Sequence, residues 1–255
     1  MKKVIIIILI LIFSESIISF GKPNQRIKNL QDSALNFYMQ NDFKNSVRVY
    51  LEILKSGYYS SELYYNLGNA YFKSGDIASA IYYYEKAKLH NPSDPDINHN
   101  LKIAYSQIKN KVEPLPEFFF ISWYKQTLNL FSANTWAVLS IMFFVFLLTA
   151  IIIYLFGKTL TQKKIGFYTG IIFIFFFSLS LLFSIKQTNN ITKNKFAIIF
   201  DPVMVKSSPQ EEGTNMFEIN EGLKVEILDS LNNWYKIRLA DGKQGWIVKE
   251  SVKKL

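Results

Sequence analysis

Few side chains in this sequence are suited to chemistry. The chain has 255 residues, no cysteine and two histidines. Thiolate nucleophiles, disulfides and zinc sites built on Cys or several His therefore have no donors. His90 falls at a helix C-terminus and His99 in the helix that follows. Neither has convergent partners at a useful spacing, so both read as structural or solvent-facing. No nucleophile–base set, phosphate-cradling glycine loop or metal cluster is recognisable. No catalytic residue, metal site or cofactor is expected, and the chain reads as non-enzymatic. Its resource is aromatic surface, with 22 Phe, 15 Tyr and 4 Trp. Trp234 and Trp246 are candidates for a ligand platform, although Trp in a small β domain is more often core.

The formal charge of +9 raises the question of nucleic acid, and its location answers it. Residues 22–117 carry 12 Lys/Arg against 10 Asp/Glu, and residues 193–255 carry 10 against 9. The remainder holds 7 Lys and one acid, Glu15. The excess thus flanks apolar segments at Lys2, Lys3, Lys125, Lys158, Lys163, Lys164 and Lys186. Such placement matches topology signals beside a bilayer and not a basic stripe along a groove, so no nucleic-acid partner is expected.

Trp136 to Phe156 and Ile165 to Ile185 are uncharged runs of 21 residues each. As helices each would be about 30 Å long, the thickness of the hydrocarbon core. The loop 157–164 between them carries three lysines, which places it in the cytoplasm and both flanking regions on the opposite side. The N-terminus agrees. Met1-Lys2-Lys3 precedes the apolar run Val4 to Phe13, with Ser19 and Gly21 as small residues before a cleavage point, the pattern of a secretory signal peptide over 1–21. An uncleaved anchor is the alternative, because Ile17, Ile18 and Phe20 extend the apolar run. Gly166 and Gly170 form a GxxxG spacing, a weak signal for helix dimerisation.

The region before the spans repeats with a period of 34 residues. Leu30 aligns with Tyr64, Ala34 with Gly68, Phe37 with Tyr71, Ser46 with Ala80 and Tyr50 with Tyr84. Small residues at Ala34, Gly68, Ser46 and Ala80 allow paired helices to approach closely, and the aromatics fill the gaps between them. Asn41-Asp42 and Gly75-Asp76 supply turns, and Asn91-Pro92 ends the second repeat. Residues 61–94, with Tyr64-Tyr65-Asn66-Leu67-Gly68-Asn69-Ala70-Tyr71, Gly75-Asp76, Ala80-Ile81, Tyr84, Ala87 and Pro92, resemble the tetratricopeptide repeat family. Residues 27–60 resemble it less closely, and 95–110 read as a capping helix or incomplete third repeat. The resemblance implies a concave groove lined by the first helix of each repeat. By register Gln31, Leu35, Tyr38, Tyr65, Asn69, Phe72 and Lys73 would face it, offering a peptide or protein partner aromatic and amide surface.

After Asn110 the prolines of Val112-Glu113-Pro114-Leu115-Pro116-Glu117 end the helical register. The segment containing Trp123, Tyr124 and Phe131 reads as a short interfacial helix running into Trp136. From Lys195 the pattern turns to period two. Ala197–Ile199, Val205–Ser208, Glu221–Leu228, Trp234–Leu239 and Gly245–Ile247 read as five strands, with Asp241-Gly242 as a hairpin turn. Together with Gly245-Trp246-Ile247, these segments resemble the bacterial SH3-like domain, which implies binding of cell-wall peptides or proteins.

The expected architecture is a multidomain membrane protein with all-α tetratricopeptide helical repeats, two transmembrane helices and a C-terminal all-β SH3-like barrel. Its segments are a signal peptide (1–21), repeats (22–110), an interfacial junction (111–135), spans at 136–156 and 165–185 about a cytoplasmic loop (157–164), a linker (186–194) and the SH3-like domain (195–255). That order, with the Glu113-Pro114-Leu115-Pro116-Glu117-Phe118-Phe119 junction, resembles the BatE family of the Bat aerotolerance group. The resemblance implies a bacterial inner-membrane component with both soluble domains in the periplasm, working with von Willebrand factor A-type membrane proteins. Two roles stay open: a scaffold for protein partners in the bilayer, or a tethered module that binds peptidoglycan through the SH3-like domain.

Overall fold

Asp42, Ser60, Asp76 and Asp94 each start a helix by accepting a backbone N–H of the first turn, at 3.2 Å from Asn45, 3.0 Å from Leu63, 2.9 Å from Ser79 and 3.1 Å from Ile97. Caps of this kind contribute about 1 kcal/mol each. The computed structural model of the chain describes residues 25–109 and 112–255. The expected signal peptide, 1–21, lies outside the described residues. The chain divides into two units, one ending at Tyr59 and one running Ser60–Leu255.

The first unit is a helical hairpin of α1 (Gln25–Met39) and α2 (Phe43–Lys55). Asn41, at φ 60°, makes the turn, a conformation that Asn tolerates better than most residues. Val49, Tyr50 and Ile53 are buried together with Ser46, the 3–4 spacing of a core-facing helix stripe. Ser46 Oγ donates to the carbonyl of Ala34 across the pair, 2.9 Å away, with both residues fully buried. The small residues at these positions are where the two helices meet.

The second unit begins with α3 (Ser61–Ser74), α4 (Ile77–His90) and α5 (Pro95–Ser106). Gly75 ends α3 at φ 89° and Pro95 occupies the first turn of α5, as each residue's backbone preference dictates. Helix α4 buries Ala78, Ser79, Ala80, Ile81, Tyr84, Glu85 and Ala87, so it is covered on more than one side.

The junction contains α6 (Phe119–Leu128), which holds Trp123 and Tyr124 but ends before Phe131; the helix expected to run into Trp136 is thus interrupted, and Ser132 caps the next one. Helices α7 (Ala133–Phe156) and α8 (Leu160–Thr192) follow, and both are long and apolar enough to cross a membrane. They pair along Phe143–Phe176, Phe144–Phe177 and Phe146–Phe173, with ring centroids 5.2–5.5 Å apart. Helix α8 is longer than the apolar run 165–185. Thr159 and Gln162 form a capping box that draws its start back to Leu160. Its end lies at Thr192, so most of the stretch expected as linker, 186–194, is helical. At 1.5 Å per residue α8 is about 50 Å long, exceeding the hydrocarbon core by about 20 Å.

The C-terminal region is one antiparallel sheet of seven strands: β1 (Phe196–Ile199), β2 (Val203–Lys206), β3 (Asn215–Ile219), β4 (Lys224–Leu231), β5 (Trp234–Arg238), β6 (Gln244–Val248) and β7 (Val252–Lys254). The strand order is β3-β2-β6-β5-β4-β1-β7. The hairpin turns carry Asn232 at φ 48° and Gly242 at φ 90°, both in the left-handed region that tight turns use. Two strands exceed the expected five. β3 and β7 lie at the edges of the sheet, and neither shows a clean alternation. Ala197, Ile198, Val205, Val225, Ile237 and Ile247 fill the core of the sheet. That core is continuous with Ala80, Ile81, Tyr84, Leu101, Ala104 and Ile108 of the α4–α5 layer.

Candidate functional site

The residues expected on the repeat groove lie in both units. In the first, Gln31, Leu35 and Tyr38 sit on α1. Leu35 is 45% exposed, Gln31 is half-buried, and Tyr38 packs edge-on against Phe43 with centroids 5.4 Å apart. In the second, Tyr65, Asn69, Phe72 and Lys73 sit on α3. Asn100 of α5 brings two of these together, donating from Nδ2 to Tyr65 Oη and to Asn69 Oδ1, both at 2.9 Å. Asn69 Oδ1 also accepts from Tyr84 Oη at 2.7 Å. Phe72 is half-buried beside the core shared with the sheet, and Lys73 is exposed.

The flank of α3 therefore has a fixed amide–phenol network at its centre and an exposed cation at one end. Hydrogen bonding of this density fixes side-chain positions before any ligand arrives. Asn100 lies one 34-residue period after Asn66, so its place on a repeat helix is visible in the sequence. Its role is not, because Tyr65 and Asn69 belong to a different helix.

A row of rings lies across α3 and α4. Tyr71 stacks on Tyr83 at 5.4 Å, Tyr83 on Tyr64 at 6.2 Å, and Tyr64 on His90 at 5.7 Å. Burial, with the neighbouring Tyr71, Tyr82 and Tyr64, pushes the Tyr83 phenol far above its ordinary value. Burial and the Lys86 ammonium lower the pKa of His90. Both shifts favour the neutral group. His99 is exposed. Among the described residues no group of three or more His, Cys, Asp or Glu converges to hold a metal.

On the sheet, register places the two tryptophans. Trp246 on β6 lies between Lys206 on β2 and Lys236 on β5. Its strand neighbours Gly245 and Ile247 are buried, as are Val205 and Ile237 beside the two lysines. Alternation along the strands then puts Trp246, Lys206 and Lys236 on the face opposite the core. Trp246 is half-buried there. Trp234 is 8% exposed, with Lys206 Nζ 6.0 Å from its ring centre. Of the two platform candidates, Trp246 is the less buried.

Where the segment 112–117 crosses the sheet, the Leu115 N–H donates to the Ala240 carbonyl at 3.2 Å. A cleft of about 420 Å³ opens beside it, lined by Val112, Phe217, Ile219 and Leu239 with Glu113 and Lys243 at its rim. Lys243 pairs with Asp241 at 3.0 Å. Slight burial opposes the Asp241 charge, but hydrogen bonds from the Lys243 backbone and ammonium outweigh it and lower the pKa.

The α3–α4 flank and most of the sheet fall in regions that known families describe, whereas α1 and α5 do not. The tetratricopeptide repeat model matches residues 61–94, and the bacterial SH3 domain model matches residues 202–253. The chain carries two interaction modules. No curated protein matches it. Both modules are of types that serve in protein interactions. Two helices able to cross a membrane separate them in sequence.

Proposed function

We propose that the chain is a non-enzymatic, membrane-tethered scaffold. The repeats hold a protein partner on the α1 and α3 flanks, through Gln31, Leu35, Tyr38, Tyr65, Asn69, Phe72 and Lys73. The SH3-like sheet contacts a second partner or the wall. The observation that carries this reading is the continuous core between the α4–α5 layer and the sheet. Modules packed together must lie on one side of the bilayer, as a helical hairpin of two spans requires. Lys158, Lys163 and Lys164 in or beside the short turn between the spans support a cytoplasmic turn. The modules then face the periplasm from the bacterial inner membrane. The order of segments supports a place in a Bat-type aerotolerance or stress complex, with von Willebrand factor A-type membrane proteins as partners.

A second reading is a membrane-tethered peptidoglycan-binding module. Trp246 favours it, being a half-buried indole between two lysines on the outer face of the sheet. One experiment separates the two. The tagged protein is cross-linked in intact cells, the membranes are solubilised, and the co-purifying material is identified by mass spectrometry. Recovery of membrane proteins with von Willebrand factor A-type domains, lost when Tyr65 and Phe72 are changed to Ala, supports the scaffold. Recovery of wall peptides without a protein partner, lost with Trp246→Ala, supports the second reading.

A further inference from the structure

Glu85 lies in the middle of α4, far in sequence from the sheet, yet it is 5% exposed. A carboxylate at that depth requires partners, and it has two from different elements. Tyr105 Oη of α5 donates to Oε1 at 2.6 Å, and the Lys224 ammonium of β4 donates to Oε2 at 2.6 Å. Lys224 also lies over the Phe196 ring of β1, 4.8 Å from its centre. Around this polar centre the contact is apolar and close. Gly222, at φ 83°, passes beneath Ile81 and Ile108, where an added Cβ would lie 3.0–3.2 Å from their methyl and methylene carbons. Tyr82 meets Phe200 edge to face at 5.8 Å.

The side chain of Glu85 is thus shared by both helices of the α4–α5 layer and by the sheet. A further repeat stacking on the array would meet this layer at α5, through the surface that Leu101, Ala104 and Ile108 give to the shared core. The sheet is already there.

We propose that the SH3-like sheet is the resident partner of the second repeat. Its β1–β4 side caps the α4–α5 layer through Glu85, so α3–α5 and the sheet act as one body and not as two modules on tethers. This goes beyond the scaffold reading. It closes the β1–β4 side of the sheet and the α5 end of the repeat to other ligands, and leaves the α3 flank and the outer face around Trp246 open.

Hydrogen exchange of the full-length chain in lipid nanodiscs, followed by mass spectrometry, tests the proposal. Lys224→Glu sets two carboxylates against each other in a buried contact. If the layer and the sheet are one body, exchange accelerates about 100-fold or more in residues 77–106 as well as in β1 and β4. Adding Glu85→Lys to Lys224→Glu restores protection in both. Lys224→Met, which leaves Glu85 its Tyr105 bond, gives a smaller rise with the same distribution and serves if the reversal does not fold. Acceleration confined to the sheet, with residues 77–106 at native protection in both variants, overturns the proposal. Neither result depends on partner capture: an overturned contact here removes the shared core that supports the scaffold reading, while recovery or loss of a partner tests that reading by itself.

Discussion

Gly68 lies flat against the ring of Tyr84. A Cβ built on Gly68 would sit 2.6 Å from Tyr84 Cδ1 and 2.7 Å from Cε1. The ring has no room to withdraw, because Tyr84 is 1% exposed and its hydroxyl is bonded to Asn69. The spacing of α3 and α4 is set by this missing methyl group. Gly68→Ala should therefore cost about 1–3 kcal/mol by overpacking, and Gly68→Arg should unfold the repeat. Thermal melting followed by circular dichroism checks both. An unchanged curve for Gly68→Arg would remove the basis for reading 61–94 as a close-packed repeat pair.

The GxxxG spacing at Gly166 and Gly170 has an internal use at one position. A Cβ at Gly166 would fall 2.6 Å from the backbone nitrogen of Tyr154 and 2.8 Å from the carbonyl of Ala150, whereas at Gly170 the nearest atom is 3.8 Å away. Helix α7 presses its backbone on Gly166, and backbone cannot swing aside. Gly166→Ala should loosen the α7–α8 hairpin, while Gly170→Ala should be tolerated. Denaturant resistance of the two variants in detergent distinguishes them. Equal behaviour would show that the close approach is not what holds the hairpin.

His90 makes stability depend on pH. Its folded pKa is lowered by burial and by Lys86, so the folded state favours the neutral ring. The stabilisation is full above the ordinary His value of about 6.5 and is lost as pH falls below it toward the lowered folded value. The melting midpoint should fall on acidification from about pH 7.5 to pH 5. In His90→Gln that part of the slope should vanish, and in Lys86→Met it should shrink. A His90→Gln profile parallel to the parent would refute the assignment.

Leu128 offers its carbonyl to two donors from different helices, Trp136 Nε1 and Gln187 Nε2, both at 3.0 Å. Trp136 also packs on Phe183 at 4.9 Å, so the end of α6, the start of α7 and the last third of α8 are joined at one point. Gln187→Leu leaves the carbonyl its indole partner and should cost about 1 kcal/mol. Combined with Trp136→Phe it orphans a buried carbonyl, and the pair should exceed additivity by about 0.5 kcal/mol or more. A double-mutant cycle on thermal unfolding measures this. Strict additivity would mean that the two donors do not share the carbonyl.

The parts of the fold that were legible in the sequence are those written in local periodicity. Ala34, Gly68, Ser46 and Ala80 recur at one period because each helix pair solves the same packing problem, and the two apolar runs state their length outright. Strands β3 and β7 were missed because an edge strand is partly solvated and has no alternation to keep; Asn215 and Met216 are both exposed. The extension of α8 past Ile185 was missed because a polar helix end has no hydrophobic signature. Of the candidate site residues, Trp234 and Trp246 look alike in the sequence, and only strand register and burial separate them. Glu85 and Lys224 were invisible as a pair. Each reads as an ordinary surface charge until the chain between them folds.

That pairing bridges 139 positions, and it carries a consequence for biogenesis. At ribosomal rates of about 5–20 residues per second, Lys224 emerges on the order of ten seconds after Glu85. In the interval the chain makes both helices that are long and apolar enough to cross a membrane, while Ile81, Leu101 and Ile108 wait without the cover of the sheet. A ribosome that stops after Thr192 should release a well-inserted product that quality-control proteases nonetheless remove.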